Sequence, residues 1–396
     1  MTAPSKSSRA WYSAIMSQSP PSPPVILQVL PGLGGGGVER GTVEMASAIV
    51  RAGGVALVAS SGGMHASSVE RVGGRNIILP LASKNPHRIW KNAALLERVI
   101  REHGVEIVHA RSRAPAWSAW IAARRTGVKF LTTFHGAYNE STVFKRSYNA
   151  VMAKGEIVIA ISHFIAELVQ RRYGTDPQRI RVIHRGVDPA IFDPALVSTQ
   201  RMMKLNDAWR LEVGHPIVML PGRISRWKGQ DVLIEALALM RTRDACVVLV
   251  GDDQGRLRLV QELTALAERR GVSTRLRFVG HCDDMPAALK LADVVVNPST
   301  DPEAFGRVVI EAQSMGAMVV ASDHGGAVET IEHDRTGWRF MPSDAQALAD
   351  TLDYALSLTL EERQAMGAAA RQSVMANYTT AEMQRKTLDV YRELLG

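Results

Sequence analysis

From Val25 onward, short apolar runs alternate with amphipathic stretches of helical length. Within each run, apolar and polar residues do not alternate, which is typical of strands buried on both faces of a parallel sheet. Such runs separated by helices predict repeated strand–helix–strand units. The predicted strands lie at 25–30, 55–60, 106–110, 129–134 and 156–162 in the first half, and at 217–222, 245–251, 276–280, 293–299 and 318–323 in the second.

The strand–helix pattern occurs twice, with a weak break that contains Pro194, Gly214 and Pro216. Two such series predict an α/β fold of two Rossmann-like domains, each a doubly wound parallel sheet, that face each other across a cleft. We place a disordered tail at 1–24, the first domain at 25–195, a linker at 196–215, the second domain at 216–378 and a terminal helix at 379–396.

Composition excludes several classes of protein. Hydrophobic residues make up 46% of the 396 positions, and no run approaches the roughly 20 apolar residues of a membrane-spanning helix. Two cysteines, Cys246 and Cys282, cannot form a disulfide framework or a four-cysteine zinc site. This usage fits a reducing compartment, so we expect a cytoplasmic protein.

Basic and acidic residues are distributed unevenly between the two halves of the chain. Residues 1–195 contain 24 Lys and Arg against 12 Asp and Glu, whereas residues 196–396 contain 23 against 27. A basic first half indicates an anionic partner, either nucleic acid, phospholipid headgroups or a phosphorylated acceptor. Because the basic residues are dispersed and not interleaved with aromatic residues, nucleic acid is the least favoured of the three.

A glycine-rich loop, Gly32–Gly37, follows the first predicted strand and precedes a predicted helix. The spacing G-x-G-x-x-G is that of dinucleotide-binding loops, which also require an acidic residue at the end of the second strand. The second strand here ends in Ala59-Ser60-Ser61-Gly62, without a carboxylate. An NAD-dependent oxidoreductase is therefore only an alternative, and the loop amides suit a phosphate or another oxyanion.

Two further strand ends carry residues of interest. His135 follows the strand at 129–134, where an open α/β sheet binds its ligand, although an isolated histidine is as often structural. Arg223 and Lys228 lie five residues apart after the strand at 217–222. They could clamp a diphosphate, the guanidinium as a bidentate donor and the ammonium as a point charge, but charge alone favours a solvated loop.

The segment Asp301–Glu311 follows a buried strand and enters a helix. Glu303 precedes that helix, and Glu311 lies about two turns inside it, among apolar residues. Amides at the helix start would point towards a phosphate, while the deeper carboxylate could accept hydrogen bonds from a ribose. We find no cluster with metal-ligand spacing in the sequence, and predict neither a metal nor an organic cofactor.

Four motifs together resemble the retaining GT-B glycosyltransferases of the large family 4, in the type that builds bacterial envelope polysaccharide and lipopolysaccharide core. They are Gly36-Gly37-Val38-Glu39-Arg40, His135-Gly136, Arg223 with Lys228-Gly229, and Glu303 with Glu311. The similarity extends over nearly the whole chain from about residue 25. One departure is Gly251-Asp252-Asp253-Gln254, where the family more often has Gly-Asp-Gly-Pro.

The resemblance implies a metal-independent hexosyltransferase whose terminal helix crosses back to the first domain. The donor would be a UDP- or GDP-linked sugar and the acceptor a glycan or lipid-linked molecule, with a nucleotide-sugar epimerase as a further alternative. The implied catalytic residues are His135 and Glu303. The implied donor-binding residues are Gly36, Gly37, Arg223, Lys228, Gly251, Ala304, Phe305, Gly306 and Glu311.

An anionic membrane surface is a further candidate partner. Arg111 and Arg113 precede a predicted helix that carries Trp117 and Trp120, and tryptophan beside arginine suits a membrane interface. We therefore predict that Arg111 and Arg113 lie on an acceptor or membrane side, and that the first domain docks reversibly on the inner face of the cytoplasmic membrane. The apolar stripe of this helix, which contains Trp117 and Trp120, can instead pack on the sheet, and this interpretation is at least as well supported as membrane docking.

Overall fold

The computed structural model describes residues 23–138 and 140–396. The tail predicted at 1–24 lies outside this part except for Pro23 and Pro24, which precede the first strand. Within the described residues, strands and helices alternate along the chain, and every strand pair whose register is given is parallel.

The first sheet has seven strands in the order β3-β2-β1-β4-β5-β6-β7. Its central strands are buried along nearly their whole length, as the continuous apolar runs predicted. The strands are β1 (Val25–Val29), β2 (Val55–Ser60), β3 (Arg75–Ile78), β4 (Ile107–Ala110), β5 (Lys129–Phe134), β6 (Ile157–Ala160) and β7 (Ile180–Val182). The helices are α1 (Gly37–Arg51), α2 (Ala66–Arg71), α3 (Pro86–His103), α4 (Arg113–Thr126), α5 (Val143–Asn149) and α6 (His163–Tyr173).

The second sheet has six strands in the order β10-β9-β8-β11-β12-β13. Helices pack against it around an apolar core that includes Leu233, Leu237, Val247 and Leu352. The strands are β8 (Ile217–Pro221), β9 (Cys246–Val250), β10 (Leu276–Gly280), β11 (Val294–Asn297), β12 (Met318–Ser322) and β13 (Trp338–Phe340). The helices are α7 (Thr199–Trp209), α8 (Gln230–Leu239), α9 (Leu257–Arg269), α10 (Met285–Leu291), α11 (Arg307–Ser314), α12 (Ala345–Ser357), α13 (Leu360–Asn377) and α14 (Thr380–Leu395).

The described residues form two compact units. The first contains the chain up to Thr132, Lys154–Ile157 and Tyr391–Gly396, and the second contains Thr133–Ala153 and Val158–Val390. The end of helix α14 therefore belongs to the first unit, where the Tyr391 hydroxyl lies 2.8 Å from His109 Nδ1. Among the described residues, no helix is long and apolar enough to cross a membrane.

The sequence analysis did not predict three short strands, β3, β7 and β13. Each is an edge strand of its sheet and has three or four residues, several of them only half-buried. The stretch predicted as a linker contains helix α7, which Arg201 ties to Asp284 through hydrogen bonds of 2.8 and 2.5 Å. Short edge strands and a locally anchored connector leave little apolar pattern in the sequence.

Candidate active site

Lys228 lies in a short 3₁₀-helix, Arg226–Lys228, on the loop that follows strand β8. Its ammonium is 2.6 Å from Glu303 Oε1 and 4.7 Å from the centre of the Trp227 ring. Gly229 ends the turn at φ +71°, and a Cβ there would come within 1.9 Å of the Pro298 carbonyl oxygen. Glycine at this position thus lets the loop lie against strand-end residues and directs Lys228 towards Glu303.

Glu303 is held on several sides. Besides Lys228, its Oε1 accepts a hydrogen bond of 2.5 Å from Ser299 Oγ, and this hydroxyl oxygen also lies 3.0 Å from Asn297 Oδ1. Burial would raise the pKa of this carboxyl, but Lys228 and the hydrogen bonds from Ser299 and Asn297 hold the pKa below its usual range. Glu303 is therefore a carboxylate at neutral pH, able to accept a proton but not to donate one.

The loop between Glu303 and helix α11 carries three backbone amides, those of Ala304, Phe305 and Gly306. Gly306 precedes the helix at φ +77°, and the loop is backed by a second 3₁₀-helix, Gly325–Thr330. Gly326 N donates to Glu303 O at 2.8 Å, and a Cβ on Gly325 would lie 2.5 Å from that oxygen. The phosphate-facing loop predicted from the sequence thus lies tightly against a neighbouring backbone segment.

Glu311 lies in the middle of helix α11 and is buried. Its Oε1 is 3.0 Å from Arg307 Nε, one helical turn earlier. The side chain lies in a largely desolvated position beside this guanidinium, where its oxygens can accept hydrogen bonds from a polyol. A charged residue in the buried helix interior is the feature that the sequence predicted.

Arg223 does not join this cluster. Its guanidinium lies 3.3 Å from Gln254 Oε1, on the loop that departs from the commoner family pattern, and its carbonyl accepts from Gln230 Nε2 at 3.1 Å. Gly251, at the end of β9, donates its N–H to the carbonyl of Gly280 at 2.8 Å. The glutamine of the unusual loop therefore orients the first of the two predicted diphosphate cations.

The remaining predicted residues occupy other strand ends. His135 directly follows β5 and is half-buried. Gly36 and Gly37 belong to the first compact unit, at the start of helix α1, where Gly36 lies against the side chain of Glu39. A Cβ on Gly34 would meet no atom within 4 Å, so position 34 is much more open than position 229.

The prediction that Arg111 lies on a membrane-facing surface is wrong. Arg111 is only 3% exposed and donates to Gln28 Oε1 at 3.1 Å. Burial lowers the pKa of Arg111, and the nearby Tyr391 and Glu44 partly offset this lowering. Because β4 lies in the middle of the sheet, a side chain directly after it is covered by its neighbours.

Of the other residues of this membrane prediction, Arg113 and the two tryptophans are only partly accessible, whereas Arg124 and Arg125 at the end of helix α4 are exposed. Arg113 begins helix α4 and is half-buried, as are Trp117 and Trp120. The two tryptophan rings contact each other edge to face, with centres 5.8 Å apart. Arg124 lies over the Trp120 ring at 5.4 Å. These contacts favour packing of the stripe within the protein.

Several contributing residues were not singled out by the sequence analysis. Ser299 and Arg307 orient the two glutamates, and Glu329 anchors the segment behind the loop. Ser299 lies just after strand β11 and Arg307 lies one turn before Glu311, so spacing alone could have suggested both. Glu329 gave no such signal, because its partners are His163, Phe164 and His184, far away in the sequence.

Two family models match the chain, one described as Glycosyltransferase Family 4 over residues 35–191 and one as Glycosyl transferases group 1 over residues 204–373. A crystal structure of a glycosyltransferase from Rickettsia africae has 38% sequence identity, covers 94% of this chain and 99% of that chain, and gives a TM-score of 0.88. The chain belongs to the GT-B glycosyltransferases of family 4.

Curated relatives of this glycosyltransferase carry more specific names. The D-inositol 3-phosphate glycosyltransferase of Jonesia denitrificans is 31% identical over 292 residues, which cover 67% of this chain and 66% of that protein. The GDP-mannose-dependent alpha-(1-6)-phosphatidylinositol monomannoside mannosyltransferase of Mycobacterium tuberculosis is 28% identical over 314 residues, or 75% and 78% of the two chains. This chain thus spans just under two thirds of the first relative's length.

These similarities confirm the predicted fold and the predicted enzyme class of this glycosyltransferase, and they give the oxidoreductase alternative no support. Neither curated relative is named for lipopolysaccharide. The sugar, the acceptor and the role of each site residue belong to the proposal that follows.

Proposed function

We propose that this glycosyltransferase moves a hexose from a UDP- or GDP-linked sugar to a phosphate-bearing glycan or lipid-linked acceptor, with retention at the anomeric carbon. The observation that carries the donor site is the Lys228–Glu303 ion pair beside the amides of Ala304–Gly306. It combines a cation, oriented N–H groups and a fixed carboxylate, the set that a diphosphate joined to a sugar requires.

In this proposal Lys228 and Arg223 bind the donor diphosphate, together with the amides of Ala304, Phe305 and Gly306. Glu303 already holds the Lys228 ammonium at 2.6 Å, so little side-chain entropy is lost when a phosphate arrives. Glu311, positioned by Arg307, accepts hydrogen bonds from the ribose hydroxyls. Gly251 lies at the base side, and Gly36 and Gly37 serve a donor phosphate or the acceptor.

The chemical step requires stabilisation of the departing diphosphate, and the cations and amides supply it without a metal ion. Glu303, ionised and bound to Lys228 and Ser299, is fixed beside the sugar rather than free to act as a general acid. We therefore favour attack from the face that the diphosphate leaves, with the diphosphate accepting the acceptor's proton. His135 is proposed to bind the sugar, and turnover should persist in EDTA.

The acceptor is proposed to carry phosphate. The supporting observations are the basic first half of the chain and the inositol phosphate and phosphatidylinositol substrates in the relatives' names. An acceptor of bacterial envelope polysaccharide or lipopolysaccharide core shares this anionic character. A phosphorylated acceptor and a lipid-linked one can be distinguished by supplying the same phosphorylated headgroup with and without its lipid.

We also propose a cytoplasmic enzyme that docks reversibly on anionic membrane, now through helix α5. Val143 and Phe144 are 79% and 88% exposed, and Lys145 and Arg146 follow them. Exposed apolar side chains next to cations suit a headgroup region. Phe144→Ser should reduce co-sedimentation with anionic vesicles, whereas Leu360→Ser, at a residue 71% exposed, should not. Equal recovery of wild-type protein in the supernatant with anionic and with zwitterionic vesicles, at low salt, would exclude docking.

The test of the donor proposal is a thermal-shift panel of UDP, GDP, ADP and their hexose conjugates. A cognate nucleotide at 100 times its Kd should stabilise the protein by about 2.7 kcal/mol. Product analysis then determines the anomeric configuration of the transferred sugar. A nucleotide sugar epimerised without acceptor would identify an epimerase, and no response to any nucleotide would refute the proposed donor site.

A further inference from the structure

Glu329 accepts three hydrogen bonds from residues far away in the sequence. Backbone N–H groups of His163 and Phe164 donate to its two oxygens at 2.9 and 2.8 Å, and His184 Nε2 lies 2.8 Å from Oε2. The first two donors form the start of helix α6, whose next amide, of Ile165, is capped by Ser162. Glu329 thus completes the cap of a helix about 165 residues earlier in the chain.

The same segment supports the donor loop. Glu329 lies in the 3₁₀-helix Gly325–Thr330, whose Gly326 N donates to Glu303 O. From the side of helix α6, Ser162 Oγ donates to Ala304 O at 2.6 Å, and the His184 ring centre lies 5.7 Å from that of Phe305. The loop at Glu303–Phe305 therefore contacts two separate segments, and Glu329 is the charged group that joins them.

We propose that Glu329 is a positioning residue of the donor site, a role that rests on the proposed function. It touches no reacting group in this arrangement. By binding the start of helix α6 and His184 to the Gly325–Thr330 segment, it fixes the backbone of the loop whose amides, those of Ala304–Gly306, are proposed to bind the phosphate. Burial would raise the pKa of Glu329, but the bonds from His184 and the two amides lower it below its usual range, so the clamp is charged at neutral pH.

A metal ion is the competing interpretation of the same side chains. His163, His184 and Glu329 place one ligand atom each within 4.8 Å of one another, a group that sequence spacing could not predict. However, both oxygens of Glu329 already accept backbone N–H groups that are fixed in the first turn of a helix. A metal would have to displace or compete with these bonds, so the geometry favours the hydrogen-bonded clamp.

The proposal is tested with Glu329→Ala and Glu329→Gln, and with Glu332→Gln as a control for the same change of charge three residues away. Glu332 is an exposed partner of Arg335. Glu329→Ala should lower kcat/KM for the donor about tenfold, the equivalent of one buried charged hydrogen bond. The KM for the acceptor should not change, and Glu329→Gln should recover part of the loss because its amide oxygen can still accept.

Hydrogen exchange gives a readout that does not depend on the donor's identity. The amides of Ala304–Arg307 should exchange faster in folded Glu329→Ala than in wild-type protein or in Glu332→Gln. Unchanged exchange together with wild-type donor kinetics would overturn the inference and leave Glu329 with a purely structural role. Faster exchange in a protein that binds no nucleotide would instead refute the proposed function while supporting the clamp.

Zinc titration decides between the clamp and a metal site. His163→Ala removes a ring ligand but keeps the backbone N–H that Glu329 binds, so the Tm response to Zn²⁺ should be the same in this variant as in wild-type protein. A rise in Tm with Zn²⁺ that His163→Ala abolishes would overturn the inference and make Glu329 a metal ligand.

Discussion

Lys228 and Arg111 are two cations that follow central strands of the two sheets, yet their surroundings differ. Lys228 pairs with the carboxylate of Glu303 on a loop and keeps 14% of its side chain exposed. Arg111 is buried and bonds to a neutral amide, Gln28, whose Nε2 in turn donates to the carbonyl of Thr42 in helix α1. The first arrangement can exchange its partner for an anionic ligand, whereas the second links a strand to a helix.

The comparison shows that a cation after a central strand can serve either ligand binding or stability, depending on the backbone that carries it. A loop long enough to turn away from the sheet, as between β8 and α8, brings its cation to another strand end. A cation placed directly after β4 stays inside the layer of the fold, where burial lowers its pKa. Four substitutions or conditions can break or sharpen this contrast.

Lys228→Ala should have the largest effect. It removes the cation proposed to bind the diphosphate and leaves the buried Glu303 carboxylate without its ion pair. We expect kcat/KM for the donor to fall about 100-fold, or about 2.7 kcal/mol, measured from initial rates. Lys204→Ala, at an exposed lysine of helix α7, serves as the control. Wild-type donor kinetics in Lys228→Ala would show that the donor site is misplaced.

Glu311→Gln should weaken nucleotide binding about tenfold, since a neutral amide replaces a charged acceptor for the ribose hydroxyls. Calorimetry with the cognate nucleotide measures this directly. Because the residue is buried and paired with Arg307, the variant's Tm is measured in parallel. Unchanged affinity in a folded variant would remove Glu311 from the donor site.

Arg111→Ala should instead act on stability. Loss of the guanidinium leaves Gln28 Oε1 without its donor and opens space in the first unit, so the free energy of unfolding should fall by about 2 kcal/mol. Nucleotide affinity should not change. Denaturant unfolding of this variant and of exposed Arg124→Ala provides the comparison. Full stability combined with a raised acceptor KM would return Arg111 to the acceptor site.

The smallest effect concerns pH. The pKa of Glu303 is lower in the folded protein than in the unfolded chain, so its contribution to stability is present above the usual value of about 4.3 and is lost as the pH falls through the lowered value. Between pH 5 and pH 8, Glu303 should add no pH dependence to the Tm. Below pH 4, the Tm of wild-type protein should approach that of Glu303→Gln, and a constant difference would contradict the ion pair.

The sequence was sufficient for the parts of the fold that depend on continuous burial. All ten predicted strands exist, and the terminal helix predicted from residue 379 begins at Thr380. Edge strands such as β13 were missed because half-exposed residues give no continuous run. Charge and tryptophan spacing placed Arg111 at the surface, because a sequence does not show how closely a strand end is covered.

Within the candidate site, the sequence predicted residues that share one loop or one helix, and it missed those that meet only through folding. Glu303 and Lys228 were assigned separately, but the spacing did not predict that they form an ion pair. Glu329 meets helix α6 through a contact between residues about 165 positions apart. No local pattern encodes such a contact, because nothing in the short-range periodicity of either segment depends on the other.

The absence of a side chain at Gly229 and Gly325 limits which codon changes the gene can tolerate. Every single-nucleotide missense change in a glycine codon introduces a Cβ atom, and at these positions that atom would lie 1.9 Å from the Pro298 carbonyl and 2.5 Å from the Glu303 carbonyl. Gly34 offers open space for the same atom. In a population under selection for sugar transfer, the codons at 229 and 325 should therefore accumulate almost no missense variation, while the codon at 34 is free of this steric barrier.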